Sequence, residues 1–206
     1  MQSEAEGRES TNRPEYAERL ARLQTTWWKR VLGVQAPYRW NLRRLRLGFT
    51  LDIGCGIGRN LVNLDGYAVG VDHNSESVAI AVNRGLTAFT PDEFNRSQFA
   101  SPDTFDSLLA AHVIEHLSRA DALELLRTYL PYVRRGGSVA LITPQERGFR
   151  SDPSHVEFAD FGSLETISNE LGLVVQRTYS FPFPRMFGRL FTYNEFVLVA
   201  TAGPPR

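Results

Sequence analysis

The chain has 206 residues, with 23 Lys plus Arg balanced by 23 Asp plus Glu. That length suits one domain with a sizeable core, and the even charge excludes a global field that would draw it to nucleic acid or an anionic membrane. Its one cysteine, Cys55, allows no internal disulfide, and no charged-then-apolar leader or membrane-length apolar run is visible, so a soluble, cytoplasmic protein is expected.

In chain order, residues 1–13 are polar and charged and predict a disordered tail. From Pro14, apolar residues at helical spacing (Tyr16, Leu20, Leu23, Trp27, Val31) predict one helix. Pro37 opens a second, carrying Tyr38, Trp40, Leu42 and Leu45. Residues 14–47 thus form a helical cap, with Trp27 and Trp28 either packed on the body or closing over a cleft. Arg39, Arg43, Arg44 and Arg46 predict a solvated face.

Residues 48–206 form the main domain. Phe49–Ile53 and Tyr67–Asp72 are the first two strands, separated by a short helix at Arg59–Leu64. A helix capped by Asn74 or Ser75 and ended by Gly85 follows, then a weak third strand, Leu86–Thr90. Phe105–Ala111 is the fourth strand, and Ser118-Arg119-Ala120-Asp121 opens a helix reaching Val133. Gly137–Thr143, Leu173–Phe181 and Glu195–Ala200 complete the strands, with a helix at Ser163–Leu171. Strands alternating with helices predict a mostly parallel sheet covered on both faces. The last two strands have no helix between them, so one runs antiparallel in a closing hairpin.

The stretch Leu51-Asp52-Ile53-Gly54-Cys55-Gly56-Ile57-Gly58-Arg59-Asn60 ends an apolar run in a carboxylate and then places glycines at alternate positions. It predicts a strand breaking into a tight loop that opens a helix. A second acid, Asp72, closes the next strand about 20 residues on, the spacing of an acid that grips a ribose. A dinucleotide fingerprint needs a third glycine where Arg59 stands, and Asp52 would repel a pyrophosphate but suits a cationic ligand.

With Gly70-Val71-Asp72, Phe105-Asp106, Val113-Ile114-Glu115-His116-Leu117 and Arg135-Gly136-Gly137, this pattern resembles the class I S-adenosylmethionine-dependent methyltransferases. The likeness runs from Phe49 to Ala200 and is nearest the small-molecule branch that includes ubiquinone-pathway O-methyltransferases. It implies a Rossmann-like, doubly wound, seven-stranded α/β/α fold with a C-terminal antiparallel strand. It also implies S-adenosylmethionine as cofactor, in contact with Asp52, Gly54, Cys55, Gly56, Gly58, Asp72, His73, Asp92, Ala111 and His112. Asp92 and Glu93 are the candidates beside the adenine amine.

Reacting groups in open α/β sheets follow the carboxyl ends of the strands. His112 ends the fourth strand and His155 lies in the loop after the fifth, so each is a candidate catalytic base or positioner. His112-Val113-Ile114-Glu115-His116 also matches H-x-x-E-H, an inverted zinc-protease pattern. Its place after a strand of a cofactor-binding sheet, with no third ligand suggested nearby, argues against a protease. Some ubiquinone-branch relatives resemble this run with acid, acid and histidine and use magnesium. Here the first position is His112, which weakens oxygen-only coordination, so no metal is expected. Glu115 and His116 are expected to order the loop and border the cleft.

Phe181-Pro182-Phe183-Pro184-Arg185-Met186-Phe187 and Phe191 interrupt the last hairpin and could wall an acceptor pocket or pack on a neighbour. No Asn/Asp-Pro-Pro-Tyr run follows the fourth strand, which disfavours methylation of nucleobase amines. The expected function is methyl transfer to a small-molecule acceptor, with oxygen favoured over nitrogen or carbon, by a monomer or homodimer. An RNA or protein methyltransferase and a non-catalytic cofactor-binding module are the alternatives.

Overall fold

The computed structural model describes residues 35–203. The tail and the first predicted helix lie outside them. Helix α1, Gln35–Leu45, begins two residues ahead of Pro37 and packs its buried Leu42 and Leu45 on the sheet. Strands β1 (Thr50–Ile53) and β2 (Ala68–Val71) flank the short helix α2, Arg59–Asn63. Helix α3, Ser75–Asn83, is capped by Asn74, whose side chain accepts from Ser77 N at 3.0 Å.

The third strand, β3, is only Ala88–Phe89, because Thr90 at once caps α4, Pro91–Asn95, in a reciprocal capping box with Glu93. Strand β4 is Phe105–Ala111, as expected. Helix α5, Arg119–Tyr129, gives way to a 3₁₀ turn at Leu130–Tyr132, where Pro131 supplies no N–H. Strand β5, Val133–Pro144, starts ahead of the expected Gly137, since Val133 already pairs with Phe105 before a bulge. Helices α6 (Glu146–Phe149) and α7 (Phe161–Glu170) precede β6 (Val174–Phe181), and β7 (Glu195–Thr201) closes the domain.

Among the described residues the strands form one sheet of order β3-β2-β1-β4-β5-β7-β6. β1 to β5 pair in parallel, and β7 runs antiparallel to both β5 and β6. Strand alternation divides the core. Leu108 and Ala110 of β4 face the layer that includes Leu126 and Leu164, whereas Leu109 and Ala111 face Leu42 and Leu45 of α1. The result is a three-layer, Rossmann-like α/β/α domain. Strand order reverses between β1 and β4, so their carboxyl ends open a crevice.

Candidate active site

All four residues of β1 are buried, with Leu51 and Ile53 in the main core. The pleat therefore turns Asp52 to the opposite face. After Ile53 the chain doubles over the end of β2: Gly54 N and Cys55 N donate to Val71 O at 2.7 and 3.2 Å. Gly54 has φ 70°, and a Cβ there would meet Val113 Cγ2 at 2.3 Å. Gly56 has φ 52° with no heavy atom within 4 Å of where its Cβ would stand, so the backbone presents a bare face to the crevice. Cys55 is buried, and burial pushes its thiol far up, so it serves as packing.

Asp72 braces this loop. Its Oδ2 accepts from Gly56 N at 2.7 Å and its Oδ1 from Asn74 N at 2.9 Å, which leaves each oxygen a further lone pair. Asp52 is fully buried, with Oδ1 accepting from Asn60 Nδ2 at 3.2 Å and Oδ2 without a partner. Burial pushes its carboxyl up to about 7, outweighing the Asn60 hydrogen bond and the Arg59 charge that act the other way. Tyr38 of α1 donates to Asn60 Oδ1 at 3.0 Å, and the Arg59 guanidinium lies 5.2 Å from the Tyr38 ring centre. An ammonium-bearing ligand fits this corner: it would give Asp52 Oδ2 a donor and a counter-charge.

At the end of β4 the chain turns sharply, with His112 at φ 61°. His112 N still donates to Ile142 O at 2.9 Å, so the turn is anchored to β5. Its ring is held at both nitrogens, Nδ1 3.2 Å from Glu115 Oε1 and Nε2 2.8 Å from Glu195 Oε1. Burial opposes a charge on the ring, but the two carboxylates outweigh it and raise its pKa to about 9. His112 is thus an imidazolium at neutral pH. The second oxygens of Glu115 and Glu195 are buried without partners.

Glu115 and His116 lie in a 3₁₀ turn, Ile114–His116, so the H-x-x-E-H run is not one helical face. The loop after β5 folds against it, and the His155 ring centre is 4.7 Å from that of His116. His116 Nδ1 lies 3.2 Å from Ser154 O, and His155 Nδ1 2.7 Å from Phe149 O. A carbonyl only accepts, so both rings carry a proton on Nδ1, and Nε2 is the nitrogen left for other contacts. Burial lowers the pKa of His116.

These groups surround a chamber of about 710 Å³. Gly54, Cys55, Gly56, Ala111, His112 and His155 line it, as do Tyr38, Arg59, Asn60 and Glu195, and Phe181, Phe183 and Phe191 form an aromatic wall. Asn194 ties that wall down: its Oδ1 accepts from Phe183 N and its Nδ2 donates to Gln145 Oε1, both at 2.9 Å. Arg185 adds two hydrogen bonds to Glu146 of α6. Asp52, Asp72 and Gly58 are not in the lining: Asp52 is hydrogen-bonded to Asn60, which is, Asp72 lies behind Gly56, and Gly58 caps α2. His73 is exposed, Nδ1 3.6 Å from Asp72 Oδ1. Asp92 is exposed in the first turn of α4, where Glu93 is taken up by the capping box.

The methyltransferase domain family matches residues 34–194. The chain belongs to that family. It is a class I, S-adenosylmethionine-dependent methyltransferase, and the corner at Asp52, the bare face at Gly56 and the free lone pairs of Asp72 suit that cofactor. No curated protein sequence matches this methyltransferase. Its fold is shared with a SAM dependent methyltransferase from Archaeoglobus fulgidus, at 19% identity and TM-score 0.66, over 87% of this chain and 99% of that one. A TehB-like SAM-dependent methyltransferase from Corynebacterium glutamicum is 17% identical, with TM-score 0.63, over 92% and 99% of the two chains. Magnesium protoporphyrin IX methyltransferase from Synechocystis PCC 6803, with bound SAH, is 14% identical, with TM-score 0.58, over 87% and 94%.

Sequence reasoning missed three parts of this methyltransferase's site. Tyr38 read only as an apolar helix position, and Asn60 only as a letter after the glycine loop. Glu195 stands 83 residues from His112, and its sole signal is a carboxylate opening an otherwise apolar strand. His155, expected in the loop after the fifth strand, lies there against Glu115 and His116 and lines the chamber.

Proposed function

We propose that this methyltransferase modifies a small-molecule acceptor, at oxygen in preference to nitrogen or carbon. The observation that carries the reading is the acceptor half of the chamber, where the Phe181, Phe183 and Phe191 wall faces His112, Glu195 and the His116–His155 pair. An apolar wall opposite a few convergent polar groups suits a partly apolar small molecule. The lining holds the carboxylates Glu115, Asp152 and Glu195 against the single arginine Arg59, which disfavours a phosphate-bearing polymer.

When bound, S-adenosylmethionine supplies a methyl already activated on a sulfonium. Asp52 and Asn60 would hold its ammonium end, Gly56 would let it lie on bare backbone, and Asp72 would take the ribose hydroxyls. His112, fixed as a cation between Glu115 and Glu195, orients the far side of the chamber and has no lone pair for a proton. Proton removal therefore falls to the His116–His155 side, with Nε2 of His155 as receiver. Helix α1 brings Pro37 and Tyr38 to the rim, in keeping with a cap formed by residues 14–47. A soluble, cytoplasmic monomer or homodimer is the matching state.

The test is a panel of phenols, catechols, hydroxy acids and amines incubated with S-adenosylmethionine, with products read by mass spectrometry. Methylated hydroxyls support the reading, and exclusive transfer to amines or to a polymer overturns it. His155→Ala should lower kcat by about 100-fold or more while adenosylhomocysteine affinity stays unchanged.

A further inference from the structure

We infer that Glu195, at the foot of the aromatic wall, anchors a cationic group of the methyl acceptor, so that the acceptor is a hydroxyl compound that also carries an ammonium. The inference deepens the proposed function and rests on it for the hydroxyl that receives the methyl. Three observations carry it.

The first is an uneven charge count. One imidazole, His112, stands between two carboxylates, with Nδ1 on Glu115 Oε1 and Nε2 on Glu195 Oε1. A carboxylate only accepts, so the doubly bonded ring is an imidazolium and the trio is left with one negative charge in excess. Moving a proton from the ring to either acid leaves that sum unchanged. Asp152, in the loop after β5, adds a third carboxylate to the lining. Arg59, the arginine of the lining, lies over the Tyr38 ring in the cofactor corner.

The second observation is the free oxygens. Glu195 Oε2 and Glu115 Oε2 are buried and, among the described residues, have no hydrogen-bond partner. The Glu115 side chain is wholly buried, whereas that of Glu195 keeps 9% of its surface open, and both line the chamber. A carboxylate oxygen so placed is costly until a donor reaches it. Orienting His112 needs only one oxygen from each neighbour, which a neutral glutamine would supply without the charge.

The third is what stands beside Glu195. It faces Phe181 across the last rung of the β6–β7 ladder, and residues directly opposite one another share a face of the sheet. The carboxylate is therefore next to the first ring of the wall, with Phe183, Phe191 and Tyr193 also in the lining. Aromatic faces attract ammonium groups, and a carboxylate supplies the charge-assisted hydrogen bond. A neutral hydroxyl would satisfy Oε2 but leave the excess charge standing, and an anionic acceptor would be repelled.

The test uses full-length protein loaded with adenosylhomocysteine and titrated by calorimetry with tyramine, para-propylphenol and para-hydroxyphenylacetate. These share a phenol and differ in the charge of the tail. Tyramine should bind at least about tenfold more tightly than para-propylphenol, and para-hydroxyphenylacetate more weakly than both. With S-adenosylmethionine present instead, kcat/KM should follow the same order. Glu195→Gln should remove most of the tyramine advantage while adenosylhomocysteine affinity stays unchanged. Equal or tighter binding of para-propylphenol by wild type overturns the anchor, as does binding of none of the three or a tyramine advantage that survives Glu195→Gln. A substitution that weakens adenosylhomocysteine and leaves the order of phenols intact also overturns it, since the carboxylate then serves the cofactor. Should Glu195→Gln not fold, the wild-type order decides. Tyramine methylated at nitrogen alone would sink the proposed function and leave the anchor standing.

Discussion

Asp52 is buried and His112 half-buried, and the two tie stability to pH with the same sign. In the unfolded chain a histidine titrates near 6.5 and an aspartate near 3.9. Folding raises His112 to about 9, so its contribution is full below about 6.5 and is lost as pH climbs to about 9. At 1.36 kcal/mol per unit the whole effect is about 3 kcal/mol at most. Thermal melts of wild type across that window should fall with rising pH, and His112→Gln should flatten the slope. Asp52 is raised to about 7, so the cofactor-free fold loses stability as pH rises from about 4 to about 7. Asp52→Asn should therefore stabilise the cofactor-free protein at neutral pH by about 2 kcal/mol, measured by urea unfolding. The same change should weaken adenosylhomocysteine binding at least about tenfold by calorimetry, because it removes the charge facing the ammonium. Opposite signs in the two measurements separate a binding carboxylate from a structural one.

At the scale of elements, the β6–β7 hairpin and the loop between its strands hold the acceptor wall, and Asn194 holds that loop. Asn194→Ala leaves Phe183 N and Gln145 Oε1 without their partners. We expect a loss of about 2–3 kcal/mol in stability and a higher KM for acceptor, with cofactor affinity unchanged. Helix α4 offers a control away from the chamber. Thr90→Ala breaks its capping box and should cost about 1 kcal/mol in urea unfolding without altering kcat. The elements themselves differed in how plainly the sequence announced them. Strands β4 and β7 were legible from apolar runs, because a strand buried on both faces has few polar positions to blur it. Strand β3 shrank to Ala88–Phe89, since at a sheet edge Thr90 and Pro91 found more to gain in starting a helix.

For the whole molecule, ligand binding should appear as a rise in melting temperature. Adenosylhomocysteine at about 100 times its Kd adds about 2.7 kcal/mol, or about 5–10 °C for a domain of this size. NAD⁺ should give no shift. The cofactor half of the site was legible because its residues are local: Asp52, the glycines and Asp72 fall on two consecutive strand ends. The acceptor half was not, because it is assembled by topology. His112 meets Glu195 only when β7 inserts between β5 and β6, and His155 meets His116 only when the loop after β5 folds back over β4. No local spacing encodes such meetings. The hairpin carries one more implication. Phe181 and Glu195 face each other across the last rung of the β6–β7 ladder, so the aromatic segment leaves and rejoins the sheet at a single point. Changes within such an insert need not disturb the ladder beneath it or the glycine loop at the other side of the crevice.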